Sequence, residues 1–516
     1  MPKKIIKHGS KNKNKYGSKS KNKLSVIIYK ISIILIFIIT LNSLSKKKMA
    51  NSNEIIKMDK HKILSNVKEI YSINYSNIGN NYDNYRYSKC VDFDPIKMIN
   101  KTLNNKPKVI CQYEKSNHIC YPNTYPRMFE KKGIICKMEN IILDPSKWRD
   151  GGVIYKGPIN ISKGNIPFLS HGFFNMKCKN QSTIETNSKY EKYLNAWNYN
   201  YDYNIDKEEE LAVGKTIFFL SRNSDSPNMF HGLSEVINVM AIMYLLNLTP
   251  EDIKIVLLES FKIEKDIFYD IYKNIFSRGG EIVHIRNLKK KYHITSGVHI
   301  PINMDSPCFI LDNPPQCKYP TFTFQLLSIL IDKYMNIEEF EDKFINIDKM
   351  FYYPNSTINN HNLGKKFKKN VTILWRNVWP EGRKGQKRIL GNSKELTDNL
   401  ALALPDDILV RLVDTAKLSI SQQIAIMRKT DYLTGNHGAA FVLSVFTPIN
   451  CIIHEFLTLN HYEQQLQALS GHKFYSSNIK YKQRIIDDNE YLFLDSEDFI
   501  KSILNLMKEN NFTKIN

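Results

Sequence analysis

From about residue 211 the chain alternates short apolar runs with segments of helical period. "KTIFFLS" reads as a strand. "SPNMFHGLSEVINVMAIMYLLN" reads as a helix, with Ser226 at its N-cap and Pro227 at its first position. "IKIVLLE" is a strand, "EKDIFYDIYKNIFSR" a helix ended by Gly279 and Gly280, "EIVHIRNL" and "PCFILD" strands, and "FTFQLLSILIDKYM" a helix. The polar stretch "DKFINIDKMFYYPNSTINNHNLGKKFKKN" breaks this alternation and reads as a linker. A second run follows. It goes strand "VTILWR", helix "SKELTDNLALAL", strand "DILVRLV", helix "SISQQIAIMRKT", strand "DYLTG" and helix "AAFVLSVF". Strand "CIIHEF", helix "HYEQQLQALS" and a short "HKFYSS" close it. Strands alternating with helices predict parallel sheets covered on both faces. Two such runs predict two Rossmann-like domains facing a cleft, with ligands outside the carboxyl ends of the strands.

Upstream the pattern differs. "LSVIIYKISIILIFIITLNSL", residues 24–44, is apolar over a length that spans a bilayer, which takes about 20 residues. Nine lysines precede it and three follow closely, so the positive-inside rule keeps the short N-terminus cytosolic. The expected organisation is a basic tail (1–23), a transmembrane anchor (24–44), a polar stem (45–85) and an N-terminal domain (86–350). A linker (351–365) and a C-terminal domain (366–510) complete it. Residues 86 to about 210 show no clear periodicity.

Charge sharpens this reading. Of the net +22, residues 1–48 supply +13 through lysines alone, which leaves a mild +9 for the rest. Nothing resembles a nucleic-acid module, since zinc spacings and an aromatic–glycine RNA signature are missing. The eight cysteines do not have zinc-site spacing and suit disulfides in a lumen, with Cys451 in "NCIIHEF" reading as a buried thiol.

The candidate chemistry sits at strand ends. In "YLTGNHGAAF" the strand stops at Gly435, and His437 follows at its mouth. Gly438 and Ala439 would let a helix start approach an anion closely, and His437 can donate to a phosphate; a tight turn with a capping His fits the same letters. Glu455 ends "CIIHE", where a carboxylate can hold ribose hydroxyls or simply face solvent. Arg376 ends "VTILWR", and "GRKGQKR" adds Arg383, Lys384, Lys387 and Arg388; these can neutralise a diphosphate or form a solvated basic loop. On the helix from Asn228, His231, Glu235 and Asn238 make a narrow polar stripe at spacings of four and three. That stripe is either a satisfied core cluster or, through His231 and Glu235, a general-base dyad facing the cleft. Asp92 and Asp94 in "VDFDP" form an Asp-x-Asp that follows no apolar strand, so no metal site is assigned to them.

Four ordered blocks then resemble glycosyltransferase family 61. They are "NMFHGLSEVINVMAIMYL", "ILWR" with "RILGNSKEL", "SISQQIAIMRKTDYLTGNHGAAFVLSVFTPINCIIHEF" and "NHYEQQLQALSGHKFYSS". Ala440 and Trp375 depart from the pattern without removing a charge. The resemblance implies a GT-B fold, an inverting mechanism without a metal or other cofactor, and a UDP-sugar donor held by the C-terminal domain. It adds Asn392 to the donor-site set of Arg376, Arg388, Gly435, His437, Gly438, Ala439 and Glu455. Glu235 and His231 are the catalytic candidates. The expectation is a Golgi or endoplasmic reticulum type II membrane enzyme that glycosylates a glycan or glycoprotein, with xylose or N-acetylglucosamine favoured. An inactive lumenal binding protein of the same fold is the alternative.

Overall fold

The structure, a computed structural model, describes residues 90, 94–104, 108–122, 134–149, 168–179, 195–202, 207–220, 229–258, 267–278, 280–300, 317–318, 320–337, 350–375, 388–456 and 467–512. For His231 only the backbone is described. The expected tail, anchor and stem lie outside these residues. Among the described residues no helix is long and apolar enough to cross a membrane. All of them belong to one compact unit, Ile78–Asn516.

The chain is a mixed α/β protein with several sheets. The first combines β1 (Lys108–Tyr113), β2 (Ser116–Pro122), β3 (Ile134–Leu143), β4 (Thr216–Leu220), β5 (Ile253–Leu257), β6 (Val283–His284) and β7 (Tyr292–Ile300) in the order 1-2-3-7-4-5-6. The 7-4-5-6 half is parallel, and β1, β2 and β3 are antiparallel. β7 was not expected, because "YHITSGVHI" carries a mid-strand glycine and two histidines. The glycine is a packing requirement: a Cβ at Gly297 would meet Met138 at 2.9 Å and Phe219 at 3.2 Å from the flanking strands.

Residues 86–210 hid their strands for a related reason: polar-reading residues and cysteines stand among the aliphatic and aromatic side chains of their core. His118 is fully buried, stacks on Trp197 with ring centroids 3.8 Å apart, and bonds Tyr199 Oη at 3.0 Å. Disulfides join Cys111 to Cys178 and Cys120 to Cys136, the latter directly opposite each other on β2 and β3. His118, Cys120 and Cys136 are close enough to hold a metal ion, but the two sulfurs are bonded to each other. Cys451 is a buried free thiol, as expected.

Three helices accompany this sheet: α1 (Pro95–Asn104), α2 (Met229–Leu245) and α3 (Phe322–Tyr334). Asp94 belongs to them rather than to a metal. Its Oδ1 accepts from the N–H groups of Ile96 and Lys97 and from Thr323 Oγ1, and its Oδ2 from the N–H of Thr323. One carboxylate thus caps α1 and pins the first turn of α3, and the Cys90–Cys317 disulfide closes the same corner. The helix expected over 264–278 begins as Tyr269–Ile271 and widens to a π turn at Tyr272–Phe276. "EIVHIRNL" keeps only β6 as strand and turns 3-10 at Ile285–Asn287, where the His284 side chain accepts from Arg286 N–H. "PCFILD" lies outside the described residues.

The segment read as a linker at 351–365 instead carries β8 (Phe351–Tyr352) and α4 (Asn355–Asn362). β8 pairs antiparallel with a strand of the second sheet, and Tyr352 Oη bonds both oxygens of Asp398. The polar letters form a sheet edge and an exposed helix, which need no apolar period.

The second sheet contains β9 (Lys369–Leu374), β11 (Ile408–Val413), β12 (Tyr432–Asn436), β13 (Ile452–Phe456) and β14 (Lys473–Ser477), with order 8-11-9-12-13-14. Apart from β8 it is parallel. The short β10 (Ile389–Leu390) precedes α5 (Ser393–Ala403), and α6 (Ile420–Arg428) links β11 to β12. α6 starts with a capping box, in which Ser419 and Gln422 satisfy each other's backbone N–H. Arg411 is fully buried under it, donating to Thr372 Oγ1 and Ile426 O. Beyond "HKFYSS", where no element was expected, β15 (Tyr481–Ile486) and β16 (Asn489–Leu494) form a hairpin, and α7 (Ser496–Glu509) packs on α5. The interior of α5, α7 and this sheet is aliphatic and aromatic, each fully buried side chain worth about 1.5–3 kcal/mol.

Candidate active site

At its carboxyl end β12 runs straight into the turn that the sequence singled out. Gly435 lies beside Leu374 of β9, and a Cβ there would sit 3.0 Å from that residue's Cβ and 3.3 Å from its carbonyl oxygen. Glycine is therefore needed for the close approach of two parallel strands. Gly438 has φ 174°, extended backbone that any residue adopts. Residues Ala439–Phe446 form a 3-10 helix rather than the α-helix expected, with Phe441, Val442 and Leu443 buried. Gly438, Ala439 and Ala440 at its start are half-buried.

His437 is fixed on two sides. Its backbone N–H donates to Phe456 O at 3.1 Å, which extends the β12–β13 ladder past the strand end. Its Nδ1 meets Glu455 Oε1 at 2.7 Å. Glu455, expected to hold ribose, is 0% exposed and His437 5%. The carboxylate lies under the imidazole because Glu455 stands opposite Gly435, where no side chain blocks the way to His437.

Asn436, absent from the expected set although it lies inside "TGNHG", ties a second predicted residue to the turn. Its Nδ2 donates to Arg388 O at 2.8 Å. Arg388 has φ 64°, left-handed backbone that a non-glycine residue adopts at a cost of order 1–3 kcal/mol. Asn436 thus holds the Arg388 backbone beside His437. Asn392, implied as a donor-site residue, has a different place. Its Nδ2 donates to Leu494 O, and its Oδ1 accepts from Leu494 N–H, so its amide joins the start of α5 to β16. Arg376, Arg383, Lys384 and Lys387 lie outside the described residues.

The catalytic candidates come from the other sheet's helix. Glu235 and Asn238 are buried on α2, 6% and 5% exposed. α2 packs against α1, α3 and the 3-10 helix Ala439–Phe446. The helix bearing Glu235 therefore touches the element that begins two residues after His437. Behind the turn, His454 bonds Tyr432 Oη and Ser477 Oγ, and burial lowers its pKa to about 4; it is a neutral core residue. His472 is held by Thr447 and Ser470, again with burial lowering its pKa.

The arrangement offers a buried carboxylate–imidazole pair at a parallel strand end, a half-exposed small-residue turn and an arginine on constrained backbone. Together these suit an anion. In comparisons with known proteins, the family model described as Glycosyltransferase 61 matches residues 118–454, well over half of the chain. No curated protein matches the chain.

Proposed function

The chain belongs to the glycosyltransferase 61 family and is a glycosyltransferase, and from that premise we propose that it is an inverting, UDP-sugar-dependent enzyme of GT-B architecture. Its acceptor is a hydroxyl of a glycan or glycoprotein, and xylose or N-acetylglucosamine is the favoured sugar. It works in the Golgi or endoplasmic reticulum lumen behind the anchor at 24–44. The observation that carries this reading is the packing of α2, the helix that bears Glu235, against the 3-10 helix Ala439–Phe446, which starts two residues after His437. That packing supports a reading in which an acceptor base on α2 and an anion-holding turn serve one reaction centre.

In this mechanism the acceptor oxygen attacks the anomeric carbon from the face opposite the diphosphate. The carbon–oxygen bond to the diphosphate breaks with its electron pair, and UDP leaves. Glu235 or His231 takes the hydroxyl proton. His437, the Arg388 and Arg376 guanidinium groups and the turn Gly438–Ala439 stabilise the charge on the leaving group, and Gly435 lets that turn form. Preorganised donors of this kind are worth about 2.7–4 kcal/mol each.

The test is UDP release from a panel of UDP-sugars by the full-length protein, with and without EDTA, followed by mass spectrometry of acceptor glycans. Turnover with at least one donor, largely kept in EDTA, is expected. Glu235→Gln should retain UDP binding and lose about 10²–10⁴ in turnover. UDP binding without turnover on any donor would mark a lumenal binding protein instead, and complete loss in EDTA with rescue by manganese would overturn the metal-free mechanism.

A further inference from the structure

We propose that the core of the first sheet holds a second site, a zinc site made by His118, Cys120 and Cys136 while the two thiols are reduced. The Cys120–Cys136 disulfide and the metal are then alternative closures of the same three groups. The site belongs to the other sheet from the turn at His437 and is independent of the transfer reaction.

The register of the sheet brings the three together. His118 and Cys120 are two apart on β2 and so share a face. Cys136 of β3 pairs directly with Cys120, which puts it on that face too. The side chains already meet: His118 Nε2 lies 3.2 Å from Cys120 Sγ, and one ligand atom from each of the three residues falls within 4.8 Å of the others. The imidazole is also held from behind. Its Nδ1 bonds Tyr199 Oη at 3.0 Å, and its face stacks on Trp197. All three residues are buried. His299 of β7 stands opposite Cys136 and puts a second imidazole on the same face, one strand on.

The chemistry follows from the ligand set. A chain is made with free thiols, so the dithiol form precedes the disulfide. Zinc takes thiolate sulfur and imidazole nitrogen together. On binding, Zn²⁺ and two Cys–SH give two zinc–sulfur bonds and release two protons, and the Nε2 lone pair completes an S₂N set. The two thiolates cancel the charge of the ion, so it is buried as a neutral unit rather than as a bare cation. A zinc-bound Nε2 leaves the proton on Nδ1, which then donates to Tyr199 Oη. Such outer partners fix the tautomer and orientation of metal-bound histidines. Oxidation joins the two sulfurs and takes both thiolates from the ion, so the disulfide form does not hold it.

The experiment compares the detergent-solubilised full-length protein in two states, oxidised and reduced with a phosphine under argon. Each is incubated with zinc sulfate, desalted and analysed for metal. The reduced protein should retain about one zinc per chain and the oxidised protein none. Cadmium in place of zinc should give a thiolate charge-transfer band with the reduced protein only. Tyr199→Phe should weaken zinc binding about tenfold, and His118→Ala or Cys120→Ser should abolish it. Cys111→Ser with Cys178→Ser, which removes the neighbouring thiols, should keep it. Alkylation by N-ethylmaleimide needs no variant. Relative to the metal-free reduced parent, zinc should slow the alkylation of Cys120 and Cys136 and leave that of Cys111 and Cys178 unchanged. Zinc held by the oxidised protein, none in the reduced protein, retention in Cys120→Ser, or protection of Cys111 and Cys178 instead would each overturn the site.

Discussion

Asp94 shows how much one side chain can do away from the chemistry. Its two oxygens take bonds from two separate helix starts, α1 and α3, and it is nearly fully buried. Losing an N-cap costs about 0.5–2 kcal/mol, and a buried N–H left unmatched at Thr323 adds about 1–3. Asp94→Ala should therefore destabilise the protein by roughly 2–4 kcal/mol in urea unfolding. On the proposed function, the folded fraction should bind UDP as the parent does, with or without EDTA. A variant that instead keeps parental stability but loses manganese-dependent turnover would make Asp94 a metal ligand rather than a cap. Asn392 teaches a similar lesson: both ends of its amide are occupied by Leu494, so its place in the sequence block reflects the tie between α5 and β16.

Among the elements, β12 and its turn give the sharpest contrast between two glycines three residues apart. Gly435→Ala puts a methyl against Leu374, where neither backbone nor Cβ can yield easily. Overpacking of this kind typically costs about 1–3 kcal/mol, and the displaced strand end should weaken UDP binding as well. Gly438→Ala meets no backbone penalty at φ 174° and should melt closer to the parent. Thermal melts of the two variants check this, and the reverse order would place the constraint in the turn. Strands β4, β5, β9, β11, β12 and β13 were legible because they are buried on both faces and so carry adjacent apolar residues rather than a strict alternation. The strands missed, β1–β3 and β7, are antiparallel or carry Gly297 and buried histidines, so their letters do not mark the core. Of the candidate site, the strand-end positions of His437 and Glu455 and the turn between strand and helix were legible. The Glu455–His437 bond was not, because it depends on the register of β12 against β13, which one chain's periodicity does not contain. Asn436 was missed because its Arg388 partner is 48 residues away.

For the whole molecule, buried imidazoles spread over both sheets set the response to acid. Burial lowers His118 to about 3, with His299 adding to it, and lowers His299 and His454 to about 4, all from 6.5; His472 is lowered too. The unfolded chain binds these protons below about pH 6.5 and the folded chain does not until about pH 4, so their contribution is complete above pH 6.5 and is lost as pH falls through that window. Asp94, raised by burial, acts with the opposite sign and offsets only part of this. Melting temperatures measured from pH 7.5 to 4.5 should fall steadily, and His454→Asn should flatten the curve; a melting temperature independent of pH would show that these rings are solvated. The cysteine connectivity bears on synthesis. The Cys90–Cys317 bond spans 227 residues and encloses both other disulfides. Cys90 leaves the ribosome first and waits for its partner while four other thiols of the mature pairs pass it. Residues 317 and 321 in turn hydrogen-bond to Ala468 and Leu469, so the closure of the last-made part depends on the correct choice by the first-made cysteine. The chain is thus a demanding client for disulfide isomerases, and its yield in a heterologous host is governed by the thiol chemistry of the compartment into which it is made.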